Sequence, residues 1–265
     1  MNIQPLTPAH FDALLDCFNA AFADYYVPLH LNADQLRSML ARRGYVPELS
    51  FAGFDDARMI AFVLNCADGE VAYNTGTGTL PEARGAGAAK ALMETSIEHL
   101  RVSGLREYRL EVIDANRPAI GLYERLGFTL QRPLDCWSVT IDSPAPRFER
   151  GTEPERFASW WSVEPSWQNS SASIRRAREE HVILGDQRGC LVVFPSSGDV
   201  PQLAVDPDER RRGLGRALVE SAAALAGRPL RFINVDARDL GIRAFFDSLG
   251  ATKIVSQIEM SLPLV

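Results

Sequence analysis

"RRRGLGRAL", residues 210–218, runs three arginines into a Gly-x-Gly and then into an apolar sequence of helical character. Glycines that let the backbone approach an anion, basic side chains and a helix start together describe a phosphate cradle. A plainer copy lies upstream, "RGAGAAKAL", residues 84–92. Both fit Arg-x-x-Gly-x-(Gly/Ala), through Arg84, Gly87 and Ala89 and through Arg210, Gly213 and Gly215, at an offset of 126 (210 against 84). Each follows a short apolar segment closed by a turn signal, "TGTGTLPEA" or "QLAVDPDER". Each leads into apolar residues at helical spacing, Leu92, Met93, Ile97 and Leu100 or Leu214, Leu218, Ala222 and Leu225.

A second block repeats in the same order. "LYERLGF" (122–128) returns as "FFDSLGA" (245–251), at an offset of 123 (245 against 122). Two blocks in one order at nearly one spacing describe two copies of one domain. "DSPAPRFERGTEPE" (142–155) is rich in proline and charge, has neither helical nor strand periodicity, and reads as a linker. The expected division is therefore a first domain over 1–141, a linker over 142–155, and a second domain over 156–265 with an abbreviated front end. Within the first copy a strand is expected at "NIQPL". A helix capped by Thr7 with Pro8 at its first position follows. A second helix is expected from Asn32, with Gln35 as its capping-box partner, to the residue before Gly44. Strands near "LSFAGF", "RMIAFVLNCA" and "VAYNTGTGTL", the loop helix, the strand "YRLEVI", a helix at 117–125 and a last strand "TLQRPLDCWSVTI" complete an α/β domain. The paired Trp160 and Trp161, with Trp167, are expected to pack between the domains or to form a shared pocket wall.

Composition narrows the partners. The net charge of −6 over 265 residues argues against a nucleic-acid surface, so the arginines at 210–212 are a local feature suited to a small anion. The apolar runs are too short to span a bilayer, and the N-terminus has no basic and apolar leader pattern. Cys17, Cys66, Cys136 and Cys190 are scattered through apolar runs and read as buried thiols in a reducing cytoplasm. The four histidines form no metal-spaced cluster, so no metal is expected.

Three loop chemistries compete. A dinucleotide fingerprint needs a third glycine, and both copies lack it, with Lys90 and Leu218 in its place. A P-loop needs a Gly-Lys pair, and the chain has none. An acyl-CoA loop needs (Q/R)-x-x-G-x-(G/A) after a strand, and both copies supply it. With "LEVIDANRPAIGLYERLGF" (110–128) following the first loop, the chain resembles the GNAT superfamily of acyl-CoA-dependent N-acetyltransferases, over nearly all of copy one and most of copy two.

The resemblance implies two tandem domains of α+β type, each a mixed, mostly antiparallel sheet flanked by helices. It implies acetyl-CoA as co-substrate, held by Thr79, Leu80, Arg84, Gly85, Ala86, Gly87, Ala88, Ala89 and Lys90, with Asn116 near the pantetheine arm. In the second copy Arg210, Arg212, Gly213 and Gly215 are the corresponding residues. It implies direct attack by a neutral amine, a backbone N–H polarising the carbonyl, and a tyrosine protonating the departing thiolate. The matching tyrosine is Tyr123, and Glu111 stands where one branch of the family has a base. Each has a plainer reading: a core aromatic for Tyr123, a solvated strand residue for Glu111, a helix cap for Asn116. In copy two these positions become Phe246, Asn234 and Asp239, so chemistry is expected in the first domain and degeneracy in the second. Two active domains, or a non-catalytic acyl-CoA sensor or scaffold, are the alternatives. The acceptor, a small-molecule or peptide amine, is expected near Tyr25, Tyr26 and His30, which could equally anchor their loop. The alternating Thr and Gly of "TGTGT" (75–79) are expected to leave room for the pantetheine arm. A monomer or homodimer away from any membrane completes the expectation.

Overall fold

The structure, a computed structural model, describes residues 1–27, 29–151, 153 and 157–265. Residues 152, 154 and 155 of the expected linker, and residue 156 at the expected start of the second domain, lie outside the described residues. The chain divides into two compact units, Met1–Gln131 with Ile258–Val265, and Arg132–Gln257.

In chain order the first unit holds β1 (Asn2–Pro5), α1 (Phe11–Phe22), α2 (Ala33–Arg43), β2 (Phe51–Asp55), β3 (Arg58–Asp68), β4 (Val71–Thr79), α3 (Ala88–Val102), β5 (Glu107–Ile113) and α4 (Arg117–Arg125). Thr7 opens a 3₁₀ turn, Pro8–His10, rather than the α-helix itself, which starts at Phe11. Asn32 and Gln35 form the reciprocal cap of α2, each backbone N–H donating to the other's side chain at 2.9 Å, and Gly44 ends the helix at φ +81°. Strands run in the order β1-β2-β3-β4-β5, antiparallel except for the parallel pair β4 and β5. One face carries α1 and α2 over Phe18, Leu36, Phe62 and Leu64. The other carries α3 and α4 over Leu92, Met93, Tyr108 and Leu110.

The glycines of "TGTGT" are seated against the α1 face. Gly78 pairs with Phe62 across the β3–β4 ladder. A Cβ at Gly78 would overlap the Phe62 ring and sit 3.1 Å from the Ala21 Cβ. The absence of a side chain here makes room for Phe62 and not for a pantetheine arm, which corrects the expectation. Gly78→Ala therefore overpacks a fully buried ring, and a loss of about 2 kcal/mol in urea unfolding is expected. An unchanged midpoint would show that Phe62 can move aside.

The second unit holds most of β6 (Thr129–Val139), then α5 (Ser171–Arg176), β7 (Val182–Asp186), β8 (Gly189–Phe194), β9 (Asp199–Val205), α6 (Leu214–Ala226), β10 (Leu230–Asp236), α7 (Leu240–Ser248) and the first half of β11 (Thr252–Pro263). Its strand order is β6-β10-β9-β8-β7. The helices α6 and α7 cover one face through Leu218, Ala222 and Phe246. Among the described residues the other face has no counterpart of α1 and α2. Phe157, Trp160 and Ile174 cover it instead, packed on Cys190, Val192 and Ala204. The tryptophan pair thus belongs to the second unit's own core, with Trp161 packed against the same group.

The last strand of each copy departs from the linear division. β6 is 11 residues long and β11 is 12. Each begins in its own copy and ends in the other unit, with the crossing at Gln131/Arg132 and Gln257/Ile258. Trp137 and Val139 join the second unit's core, and Met260, Leu262 and Leu264 join the first's. Both strands start exposed and end buried, so each places its apolar half in the unit it enters. No helix among the described residues is long and apolar enough to cross a membrane.

Candidate functional site

In the first unit the parallel pairing of β4 with β5 stops at Asn74 and Leu110, although both strands continue. The β3–β4 register shifts between Leu64–Gly76 and Asn65–Asn74, which leaves Thr75 as the extra residue of a bulge. Arg43 at the end of α2 holds this bulge, donating to the Thr75 hydroxyl at 2.8 Å and to its carbonyl at 3.3 Å. The result is a wedge between the carboxyl ends of two parallel strands, the place where α/β sheets bind ligands.

The loop from β4 to α3 forms one lip of the wedge. Gly85 and Gly87 have φ of +80° and +83°, and Gly87 is the N-cap of α3. Nothing lies within 4 Å of a Cβ built at either, so the dihedral and not the space calls for glycine. The first helical bond is donated by the Ala91 N–H to the Gly87 carbonyl, at 3.0 Å. The N–H groups of Ala88, Ala89 and Lys90 precede it and form the open, anion-receptive end of the helix. Lys90 pairs along the helix with Glu94 at 3.0 Å. Arg84 turns the other way. Both its terminal nitrogens reach the Asp24 carboxylate at 2.7 Å, one also reaches the Ala21 carbonyl, and Nε donates to the Thr79 carbonyl at 3.3 Å. Hydrogen bonding from Arg84 holds the Asp24 carboxyl below its usual range. Leu80 is buried among the residues around α1.

The helix α4 supplies the opposite lip. Asn116 caps it, its Oδ1 accepting from the Ala119 N–H at 3.3 Å, and its Nδ2 donates to the Tyr25 hydroxyl at 3.3 Å. Tyr26 donates to the Ala115 carbonyl at 3.1 Å. The segment after α1 is thereby tied to the start of α4. His30 is exposed and, among the described residues, makes no hydrogen bond to this site. Tyr123 points inward from α4, 7% exposed, with its ring 5.8 Å from that of Phe128. Burial pushes its phenol up to about 12, and hydrogen bonding by the Thr77 side chain beside it opposes the rise. Glu111 is half-buried on β5 and accepts the Tyr73 hydroxyl at 2.8 Å. Tyr73 lies too far along β4 from the loop motif for the sequence to have marked it. Its strand register against β5 is what brings it to Glu111. Among the described residues no group of three or more His, Cys, Asp or Glu could hold a metal ion.

The second unit repeats the construction with other side chains. β9 and β10 pair in parallel only at Asp199–Arg231, and the β8–β9 register shifts between Val192 and Phe194. Arg210 repeats the role of Arg84, its Nε donating to the Val205 carbonyl at 3.1 Å and its Nη2 to the Trp160 carbonyl at 2.7 Å. Arg212 pairs with Glu209 at 3.2 Å. Gly213 caps α6 at φ +84°, as Gly87 caps α3, while Gly215 packs with its α-carbon face toward Phe245. Arg211 takes φ +63° where the first copy has Gly85. A cavity of about 490 Å³ opens here, lined by Trp160, Trp161, Leu203, Gly213, Phe232 and Phe246 among others. Phe246 is buried and stacked on Trp137, with ring centroids 5.3 Å apart, and Asp239 caps α7 as Asn116 caps α4.

A sequence model of the acetyltransferase (GNAT) family matches residues 9–128, and one of the acetyltransferase (GNAT) domain matches residues 176–250. A mycothiol acetyltransferase of Thermomonospora curvata is 36% identical over 113 residues, 41% of this chain and 37% of that one. One of Thermobispora bispora is 44% identical over 75 residues, 28% of this chain and 23% of that one. The matched region thus spans well under half the length of these curated relatives. Among solved structures, a GCN5-related N-acetyltransferase from Sphaerobacter thermophilus superposes with a TM-score of 0.73 at 15% identity, covering 99% of this chain and 95% of that one. A tandem GNAT protein from the clavulanic acid biosynthesis pathway superposes at 0.67 with 12% identity, covering 100% and 98%. Identities this low establish the shared fold.

Proposed function

Since the chain belongs to the GNAT acetyltransferase family and carries two of its domains in tandem, we propose that it moves an acetyl group from acetyl-CoA to the primary amine of an acceptor, in its first domain. The observation that carries the domain assignment is Tyr123. Its phenol is buried on the inner side of α4, where the second domain has Phe246.

The wedge and loop of the first unit fit coenzyme A. The N–H groups of Gly85, Gly87, Ala88, Ala89 and Lys90 face an anion with the partial positive charge of the helix end, which suits a pyrophosphate. The unpaired stretch of β4 beyond Asn74 offers backbone groups to an extended amide chain. Arg84 acts indirectly, by fixing the loop to α1 through Asp24. Acetyl-CoA would supply the acetyl group as an activated thioester. A neutral amine adds to the acetyl carbon, forming the C–N bond as the C–S bond breaks. Tyr123 gives its proton to the departing sulfur and regains one from solvent. Glu111, directly or through water, takes the proton lost by the nitrogen. Tyr25 and Tyr26 form the acceptor's rim, and His30 stands outside it. Matches to mycothiol acetyltransferases make a small-molecule amine the acceptor class to try first. The second domain keeps the loop and a cavity, and so holds coenzyme A or supports the fold without an acid of its own.

Thiol release from acetyl-CoA across a panel of amines tests the activity. Tight binding of coenzyme A with no turnover on any amine would favour a sensor instead. Calorimetric stoichiometry separates one occupied loop from two. The pH dependence follows from Tyr123. It acts in its protonated form, and burial raises its pKa to about 12, so the acid stays loaded through the alkaline range. The rate on the panel's best amine is expected to rise as the amine loses its proton and then hold level to about pH 10. A fall centred below about pH 9 would assign the proton donor to another group.

A further inference from the structure

Glu111 is the first residue of β5 past its parallel pairing with β4, which ends at Asn74 and Leu110. It therefore stands at the open end of the wedge, on a side chain whose torsions must all be fixed before the carboxylate can meet a proton in one place. Tyr73 lies one step inside the ladder. Its backbone is held on both sides, opposite Cys66 on β3 and opposite Arg109 on β5. Alternation puts Arg109 and Glu111 on one face of β5, the face that Tyr73 shares. To meet Glu111, the Tyr73 side chain must reach two residues forward along the sheet, about 6–7 Å at strand rise. A tyrosine spans this, and its hydroxyl donates to Glu111 Oε2 at 2.8 Å. The residue is only 4% exposed, so its ring is a fixed arm. Burial, with Glu111 beside it, keeps the phenol well above the usual tyrosine range, and the hydroxyl stays a donor at any working pH. A carboxylate has about four acceptor positions, so the bond from Tyr73 leaves it able to take a proton.

The second copy has lost both members of the pair. Arg84 and Arg210 bond to the carbonyls of Thr79 and Val205, which fixes the alignment of β4 with β9. Tyr73 then matches Asp199. Asp199 is too short to span the same two residues, and it forms an ion pair with its register neighbour Arg231 at 2.8 Å. Asn234, in the place of Glu111, takes φ +55°, and its Oδ1 accepts from Gln257 Nε2 at 2.8 Å. The sheet is therefore built equally well without a tyrosine donating to a carboxylate. The pair occurs in the copy that carries Tyr123 and is absent from the copy that carries Phe246.

We infer that Tyr73 is a positioning residue for Glu111: its hydroxyl anchors one carboxylate oxygen and so fixes where the base meets the proton of the attacking amine. The inference rests on the proposed base role of Glu111. A carboxylate released from this anchor spends part of its time out of reach of the proton, which slows the chemical step. Coenzyme A binding, placed at the loop and along β4, is left as it was.

The test follows the Glu111 carboxyl by carbon NMR in the full chain, labelled at its glutamate side chains, with the signal identified by its absence from Glu111→Gln. Tyr73→Phe removes one oxygen and keeps the ring, so a folded protein is expected. The lost donor favours the charged carboxylate, and the Glu111 midpoint is expected to rise by about one unit. Arg43 at the end of α2 and Cys66 on β3 also act on Tyr73, and Glu107 and Arg109 share its face of β5. The substitution leaves all four in place. A 3-fluorotyrosine at position 73 keeps the hydroxyl as a stronger donor and is expected to lower the midpoint, which gives the comparison if phenylalanine does not fold. A midpoint unmoved by these changes would overturn the inference. Turnover of acetyl-CoA with the panel's best amine is the second readout. Tyr73→Phe is expected to lower kcat about 10-fold with KM for acetyl-CoA held within twofold, and to have no further effect in a Glu111→Gln background. An unchanged kcat, or an equal loss in both backgrounds, would overturn the positioning role. If Glu111→Gln alone left turnover intact, the base role would fail and the inference with it, while the midpoint would still report whether Tyr73 holds the carboxylate.

Discussion

Tyr123→Phe is expected to lower acetyl transfer by about 100-fold or more, the usual loss when a positioned proton donor is removed. Three features set the expectation. The phenol is buried, so water does not readily replace it. Its raised pKa keeps it protonated at any working pH. The substitution keeps the ring that packs on Phe128 and takes away one oxygen. The effect should therefore fall on kcat, with KM for acetyl-CoA and the melting temperature nearly unchanged. The second domain carries phenylalanine at this place in a packed core, so folding tolerates it. The measurement is thiol release by wild type and variant on the same amine. A rate within twofold of wild type would remove the acid role from Tyr123 and, with it, the assignment of chemistry to the first domain.

Removing Ile258–Val265 is expected to unfold the first unit while the second keeps its own core. Under a linear division these residues end the second domain, and their loss would spare the first. In the structure they supply Met260, Leu262 and Leu264 to the first unit's core, beside Tyr108, Tyr123 and Phe128. Burying a large apolar side chain stabilises by about 1.5–3 kcal/mol, so three contribute about 5–9. That is comparable with the whole stability of a domain, about 5–15 kcal/mol. The Leu264 N–H also bonds to the Arg106 carbonyl at 2.8 Å. For the same reason, a fragment ending at residue 141 is expected to be poorly folded. Hydrogen exchange resolved along the chain would decide. Loss of protection confined to residues after Arg132 would contradict the exchange of strands.

Much of the site was legible because it is written in short-range rules. Gly87 and Gly213 were marked by the turn they make, and both have positive φ at the helix start. Asn116 was readable as a cap and acts as one. Tyr25 and Tyr26 were readable as polar aromatics between two helices, and they reach the start of α4. Other features depend on partners far apart in the chain. Arg84 had the composition of a phosphate ligand, but Asp24, 60 residues away, takes its fork. Gly78 had the look of part of a cleared path, but the residue that needs the space is Phe62 on the neighbouring strand. Tyr73 had no motif to announce it, since only the parallel register of β4 and β5 sets it against Glu111.

The sequence on its own gave away the duplicated α/β plan, the glycine-bearing strand-to-helix loop in both copies, and the loss of the tyrosine from the second. Repetition, turn chemistry and helix capping are local, and local rules survive without coordinates. Tertiary structure alone decided which unit each final strand completes and which way each arginine turns. It also decided that Thr77, Asn74, Tyr108 and Asn65 form one hydrogen-bonded line. Each of these turns on pairing between residues tens of positions apart. A single strand's pattern records which of its faces is buried and leaves open what it is buried against.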